Sequence, residues 1–173
     1  DDCAVWSPRA GHQLAFSADM LVEGRHFLST VEPSRLGHKA LAVNLSDLAA
    51  CGATPQAFLL SLSLPRADES WLSGFSKGLF QLANAHGCEL IGGDTTQGPL
   101  NIAITVMGEV PCAQAVLRSG ARAGDDLYVS GYLGDARLAL EAFRGHISLP
   151  QSVFDAARLR MEVPEPRVAL GQS

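Results

Sequence analysis

The sequence predicts an α/β or α+β domain. Three observations carry that prediction. Apolar segments of strand length alternate with stretches of helical periodicity along the 173 residues. Glycine is abundant, at 17 residues, and supplies tight turns. Aromatic residues make up only 6% against 47% apolar residues in all, so small and aliphatic side chains must fill the core. A chain of this length buries a real core and accommodates one or two domains.

Gln13 to Ser17 reads as a short buried strand ending at Asp19, and the polar stretch from Glu23 to Glu32 reads as a loop. Residues 35–51 place Leu36, Ala40, Val43, Leu48 and Cys51 at helical spacing, with Gly52 and Pro55 as stops. Phe58 to Leu64 reads as a strand closed by Pro65. Ser70 to His86 is the clearest helix, with Trp71, Leu72, Phe75, Leu79, Leu82 and Ala83 on one face and Gly87 as its stop. Glu89-Leu90-Ile91 is expected as a brief strand leading into Gly92-Gly93-Asp94-Thr95-Thr96. Leu100 to Val110 is a long strand with Ile102, Ile104 and Val106 on one side and Asn101, Ala103, Thr105 and Met107 on the other. Pro111 to Gly124 is turn-rich, Leu127 to Ser130 reads as another strand, and Gly134 to Phe143 as a helix. The tail, with Pro164 and Pro166, shows no obvious finishing element. One complete domain is expected over residues 1–112 and the beginning of a second over 113–173, with no internal repeat.

Charge and composition exclude several classes. Thirteen basic and 18 acidic residues give a net charge of -5, with no Lys/Arg block to track a nucleic-acid backbone. No apolar run approaches the roughly 20 residues that span a bilayer. A cytoplasmic protein without a signal peptide is expected. The chain opens on Asp1-Asp2 rather than Met, so an upstream segment is expected too. Cys3, Cys51, Cys88 and Cys112 form no C-x-x-C pair and are expected as free thiols. The five histidines make no compact zinc pattern. The Walker phosphate loop, G-x-G-x-x-G, H-E-x-x-H and G-x-S-x-G are all absent.

Acidic residues remain as the candidate chemistry. Asp1-Asp2 precede Ala4-Val5-Trp6, Asp19 follows a strand, Asp47 lies in the small-residue helix, and Asp94 follows Gly92-Gly93. Carboxylates gathered at one edge of a sheet raise one another's pKa unless a hard cation neutralises them, and magnesium suits oxygen ligands that also bridge to phosphate. Each has a plainer reading: Asp2 as an N-cap, Asp19 and Asp94 as turn residues, Asn44 and Asp47 as solvent-facing neighbours on one helix face. Asp125-Asp126 read as a turn, and Asp135 as an acid favoured by the start of a helix. His26, just beyond Asp19, is a binding candidate or a surface histidine. Arg118 is either a phosphate contact or half of a surface salt link.

Four segments then occur in a telling order: Asp1-Asp2-Cys3-Ala4-Val5, Asp19 to Phe27, Lys39 to Ala50 with its Asn44-Leu45-Ser46-Asp47, and Leu90 to Leu100 with its Gly-Gly-Asp-Thr-Thr. Together with Arg118-Ser119-Gly120-Ala121 and Pro164-Glu165-Pro166-Arg167, they resemble the bacterial thiamine-monophosphate kinase family across nearly the whole chain. The resemblance implies an α+β, PurM-like amino-terminal domain, with a mixed β-sheet packed by helices and dimerising through that sheet. The beginning of a PurM-like carboxy-terminal domain would follow it. It implies transfer of phosphate from ATP to thiamine monophosphate, assisted by Mg2+. On this resemblance Asp2, Asp19, Asp47 and Asp94 hold metal, with Ser17 and Ala18 beside them, Ala18 through its backbone. His26 contacts thiamine monophosphate; Gly93, Asp94 and Arg118 contact ATP; Asp47 and Asp94 are the catalytic pair. Ala18 replaces a commoner hydroxyl residue, and the second domain's Asp-containing nucleotide motif is not in the sequence. Alternatives are another ATP-using synthetase of the superfamily, for selenophosphate or aminoimidazole ribonucleotide, and a non-catalytic dimerisation and metal-binding fragment.

Overall fold

Alternation along one long strand decides which side of the sheet is covered. In the computed structural model, which describes residues 2–173, β4 (Asn101–Pro111) buries Ile102, Ile104 and Val106 and leaves Asn101, Ala103, Thr105 and Met107 half-buried. It lies between β1 (His12–Val22) and β2 (Thr54–Leu64), antiparallel to both, and β3 (Glu89–Gln97) pairs parallel to β2. The sheet is therefore mixed, with order β1-β4-β2-β3, so that β1 and β3 are its two edges.

Helices α1 (Pro33–Ala50) and α2 (Glu69–Ala85) supply the other half of the core. Leu36, Leu41, Leu45 and Leu48 of α1 and Phe75, Leu79 and Leu82 of α2 are buried together with the inward residues of the sheet. The two helices cross in backbone contact. A Cβ on Gly78 would lie 1.7 Å from the Ser34 carbonyl oxygen, and one on Gly37 would lie 2.0 Å from that of Phe75. Asp68 caps α2, its Oδ1 accepting from the Trp71 N–H at 3.0 Å. Both helices end within a residue or two of the expected positions.

The remaining chain is a turn of 3-10 helix (Arg118–Gly120), α3 (Asp135–Phe143), α4 (Gln151–Glu162) and the short α5 (Val168–Gly171). These last two are the finishing elements that the proline-marked tail did not reveal. They return to α1: Arg35 Nη1 is 2.8 Å from Glu162 Oε2, His38 Nε2 is 2.8 Å from the Pro164 carbonyl oxygen, and Val168 joins the core.

Four expectations need correction. Leu127 to Ser130 is not a strand: Leu127 and Tyr128 are 99% and 91% exposed, and no described strand pairs with them. β-Propensity alone does not make a strand without a partner for its backbone groups. β3 is not brief, because it runs on through Gly92 to Gln97, where pairing with β2 sustains a sequence lacking apolar alternation. β1 does not end at Asp19 but continues to Val22, held by its register with β4. Pro55, expected only as a helix stop, lies inside β2 beside a bulge. The cysteines are free as expected, and burial, aided by Glu89, pushes the Cys88 thiol up to about 12. No described helix is long and apolar enough to cross a membrane.

Candidate functional site

The edge strand β1 presents its residues alternately to the helices and to the open face. Ser17, Asp19 and Leu21 stand opposite Val106, Ile104 and Ile102 of β4, so they share the face that α1 covers; Ala18 and Met20 point the other way. From α1, Asp47 meets this edge, and the Ser17 hydroxyl donates to Asp47 Oδ2 at 2.5 Å. Asn44, one turn earlier, accepts the Asp19 main-chain N–H at Oδ1 (3.1 Å) and donates from Nδ2 to the Ala40 carbonyl (2.9 Å). Asn44 is only 1% exposed. The solvent-facing reading of Asn44 is thus corrected: it is a buried clamp between helix and edge strand. Its place in the stripe Leu41, Leu45, Leu48 was the signal available in the sequence.

Electrostatics tie these groups together. Burial pushes the Asp19 carboxyl above its ordinary range, the Asp47 charge pushes it further, and His26 opposes the rise. His26 lies in the turn after β1, where its Nδ1 accepts from the Val22 N–H at 3.0 Å. Ser17, Asp19 and Asp47 form an all-oxygen donor set around an incompletely compensated negative charge. That chemistry fits a hard divalent cation such as magnesium.

The other predicted residues lie elsewhere within one copy. Gly93 and Asp94 are on β3, at the opposite edge. The register runs Asp19, Ile104, Leu60, Gly93 across the sheet, so about 14 Å separates the two edges at the usual strand spacing. Gly93 has a φ of 142°, and a Cβ there would fall 1.8 Å from the Leu60 carbonyl oxygen, so only glycine fits beside Asp94. Asp94 is exposed and pairs in register with Ser61. Asp2 is exposed in the irregular segment before β1; Asp1 lies outside the described residues. Among the described residues no three His, Cys, Asp or Glu side chains gather closely enough to hold a metal. Arg118 is exposed in its 3-10 turn and makes no salt bridge among the described residues. Asp125 fills its expected turn role, accepting the Arg122 N–H at 2.7 Å.

Beyond His26, the turn borders a cavity of 290 Å³ floored by Phe27, Leu140 and Met161 and rimmed by Arg25, Lys39 and Arg137. Apolar walls with a few converging polar groups suit a small organic ligand carrying negative charge.

The family model "AIR synthase related protein, N-terminal domain" matches residues 1–110, which include β1, α1, Gly93 and Asp94. The chain belongs to this family. Among curated relatives, the thiamine-monophosphate kinase of Salmonella typhimurium is 45% identical over 175 residues, covering 100% of this chain and 54% of the relative. The crystal structure of thiamine-monophosphate kinase from Stenotrophomonas maltophilia K279a is 46% identical with a TM-score of 0.92, over 99% of this chain and 56% of that one. AaThiL complexed with AMPPCP and TMP is 32% identical with a TM-score of 0.87, over 96% of this chain and 54% of that one. The chain thus spans about half the length of the curated relatives it matches. The PurM-like α+β fold, with a mixed sheet and flanking helices, stands as expected from the sequence.

Proposed function

We propose that this chain is the amino-terminal part of a cytoplasmic, ATP-dependent kinase that converts thiamine monophosphate to thiamine diphosphate. Residues 1–112 form its metal- and nucleotide-binding domain, and residues 113–173 begin a second domain. The observation that carries this reading is the meeting of Ser17 and Asp19 of β1 with Asp47 of α1, residues separated in sequence by up to 30 positions, within electrostatic reach of His26. The complex of AaThiL with AMPPCP and TMP supports the choice of donor and acceptor.

The acceptor is itself a phosphate, anionic near neutral pH, so no strong protein base has to activate it. The barrier lies in bringing two polyanions together in line and stabilising the charge spread over the transferred group. Magnesium supplies charge neutralisation and orients phosphate oxygens when bound. Asp19, Asp47, Asp94 and Asp2 would hold it, with the Ser17 hydroxyl and the Ala18 backbone alongside. Asp47 and Asp94 are the catalytic pair, and they would hold the ion near the reacting phosphates. Asn44 keeps the Asp19 backbone in place against α1. Gly93 lets β3 close against the Leu60 backbone and so sets Asp94 and the adjoining main chain for the nucleotide, and the Arg118 guanidinium pairs with a nucleotide phosphate. His26 binds the acceptor.

A homodimer resolves the separation of Asp19 from Asp94. The helices cover one face of the sheet, whereas the other exposes Phe16 (61%) and Met20 (58%) on β1. Two such faces packed about a two-fold axis along the strands set the β1 edge of one copy against the β3 edge of its partner. Each site then draws Asp19 and Asp47 from one protomer and Asp94 from the other.

The deciding experiment incubates the intact gene product with ATP, magnesium and a set of phosphate acceptors. ADP and thiamine diphosphate are expected in equal amounts. Transfer to another acceptor, with none to thiamine monophosphate, overturns the assignment.

A further inference from the structure

In the turn after β1, His26 is tied down at every polar group but one. Its main-chain N–H donates to the Val22 carbonyl at 2.9 Å, and its ring Nδ1 accepts from the Val22 N–H at 3.0 Å. Its carbonyl accepts from the ammonium of Lys39 on α1 at 2.9 Å. The turn is closed further by the Gly24 N–H donating to the Phe27 carbonyl at 2.8 Å. Because Nδ1 is an acceptor, the neutral imidazole carries its proton on Nε2. That N–H is the one polar group of His26 left to meet a ligand, and His26 lines the cavity beside Lys39.

Lys39 is unusually placed for a lysine. It is half-buried, and it forms no salt bridge among the described residues. The acid whose charge acts on it, Glu162, is already engaged by Arg35 at 2.8 Å and Arg158 at 2.9 Å. Burial pushes the Lys39 ammonium below its ordinary range, and Glu162 only partly opposes this. A charge held in such a position without a carboxylate partner costs stability. Its hydrogen bond is directed at the backbone of His26, which lines the same cavity.

We propose that Lys39 is a positioning residue, which holds the His26 carbonyl so that the imidazole presents Nε2–H into the cavity as a fixed donor to the acceptor substrate. The inference rests on the kinase reading for the identity of that substrate, but the Lys39–His26 coupling itself does not. The link runs from α1, which also carries Asn44 and Asp47, to the turn that carries His26. One helix thus registers the acceptor-binding histidine against the metal-binding edge. Lysine suits the task because its long stem crosses the gap from α1 to the turn and its ammonium is a strong donor to a carbonyl oxygen.

The test has two arms, both on the intact gene product. In the ligand-free protein, nitrogen NMR of His26 reports the ring tautomer. Wild type is expected to show Nε2–H alone, and Lys39→Met a mixture of tautomers, with Lys39→Arg returning most of the Nε2–H form. In steady-state assays, Lys39→Met is expected to raise the KM for thiamine monophosphate by about tenfold while the KM for ATP and kcat change little, the scale of one charge-assisted hydrogen bond. His26→Gln should raise the same KM, and adding Lys39→Met to it should raise it no further. A His26 tautomer unmoved by Lys39→Met overturns the proposal. So does a Lys39→Met effect that persists in full on the His26→Gln background, since Lys39 would then act on the substrate directly. If wild type transfers no phosphate to thiamine monophosphate, the kinase reading fails and the NMR arm still decides the coupling.

Discussion

Replacing Asn44 by leucine, which keeps the branch at Cγ but is the larger side chain, removes the polar clamp between α1 and the β1 edge and adds some overpacking. The side chain is 1% exposed, so leucine loses no burial and meets no solvent. What it loses is the oxygen that accepts the Asp19 N–H at 3.1 Å, on the side of an edge strand where no neighbouring strand pairs. The Ala40 carbonyl loses only a second donor, because it keeps its place in the helical ladder. An unsatisfied buried donor costs about 1–3 kcal/mol, part of it offset by the apolar replacement. A net loss of about 2 kcal/mol lowers Tm by roughly 4–8 °C in a chain of this size. The functional effect should be sharper, because groups that orient a metal ligand are worth about 10–100-fold in metal affinity. Calorimetry without ligand, and a magnesium titration of ATP turnover, read the two effects separately. Asn44→Asp keeps the acceptor but buries a third carboxylate beside Asp19 and Asp47, so it should lower Tm more at neutral than at acid pH. If Asn44→Leu moves neither Tm nor the magnesium half-saturation, the clamp does not hold Asp19 and the reasoning fails.

Four other outcomes are expected. Asp47→Asn should reduce turnover by about hundredfold or more with an unchanged circular dichroism spectrum, because the exposed carboxylate contributes to the site rather than to the core; near-normal turnover at limiting magnesium refutes the metal role. Gly78→Ala drives a Cβ into the Ser34 carbonyl oxygen and should cost about 3 kcal/mol or more, read as a fall in Tm or loss of soluble protein. Glu109, 2% exposed, is held below the ordinary carboxylate range chiefly by its side-chain bond from Arg9. Its contribution is therefore present above pH about 4.5 and lost as pH falls through the lower folded value, so Arg9→Met should move the acid-unfolding midpoint to higher pH; an unmoved midpoint contradicts the ion pair. Mixing inactive Asp19→Asn and Asp94→Asn proteins should restore up to about a quarter of wild-type turnover by forming mixed dimers, since one of the two sites in such a dimer is intact; silence after subunit exchange argues for sites built within single copies.

The parts of the fold that depend on one-dimensional pattern were legible without coordinates. Helix periodicity located α1 and α2, and alternation along β4 assigned Ile102, Ile104 and Val106 to one face, as the burial pattern shows. Pattern failed where hydrogen-bonded partners rather than side chains make the element. β3 is a strand because β2 pairs with Gly92-Gly93-Asp94, although those residues have no apolar rhythm. Leu127 to Val129 has the apolar, β-prone residues but no partner strand among the described residues. The α4 and α5 segments are weakly patterned, and the contacts that seat them, such as Glu162 with Arg35, cross 127 positions of sequence.

The residue types of the candidate site were likewise written in the chain: isolated acids, a glycine pair before Asp94, and a histidine just beyond β1. Only the tertiary structure brings Ser17 and Asp19 beneath Asp47 and separates them from Asp94 by the width of the sheet. Only packing turns Asn44 from a polar residue in a helix into a clamp, and Lys39 into a hold on His26. The physical reason is common to all of these. Composition and periodicity are local properties of a chain, whereas a carboxylate's pKa, a donor's partner and a lysine's burial are set by groups that arrive from elsewhere in the sequence.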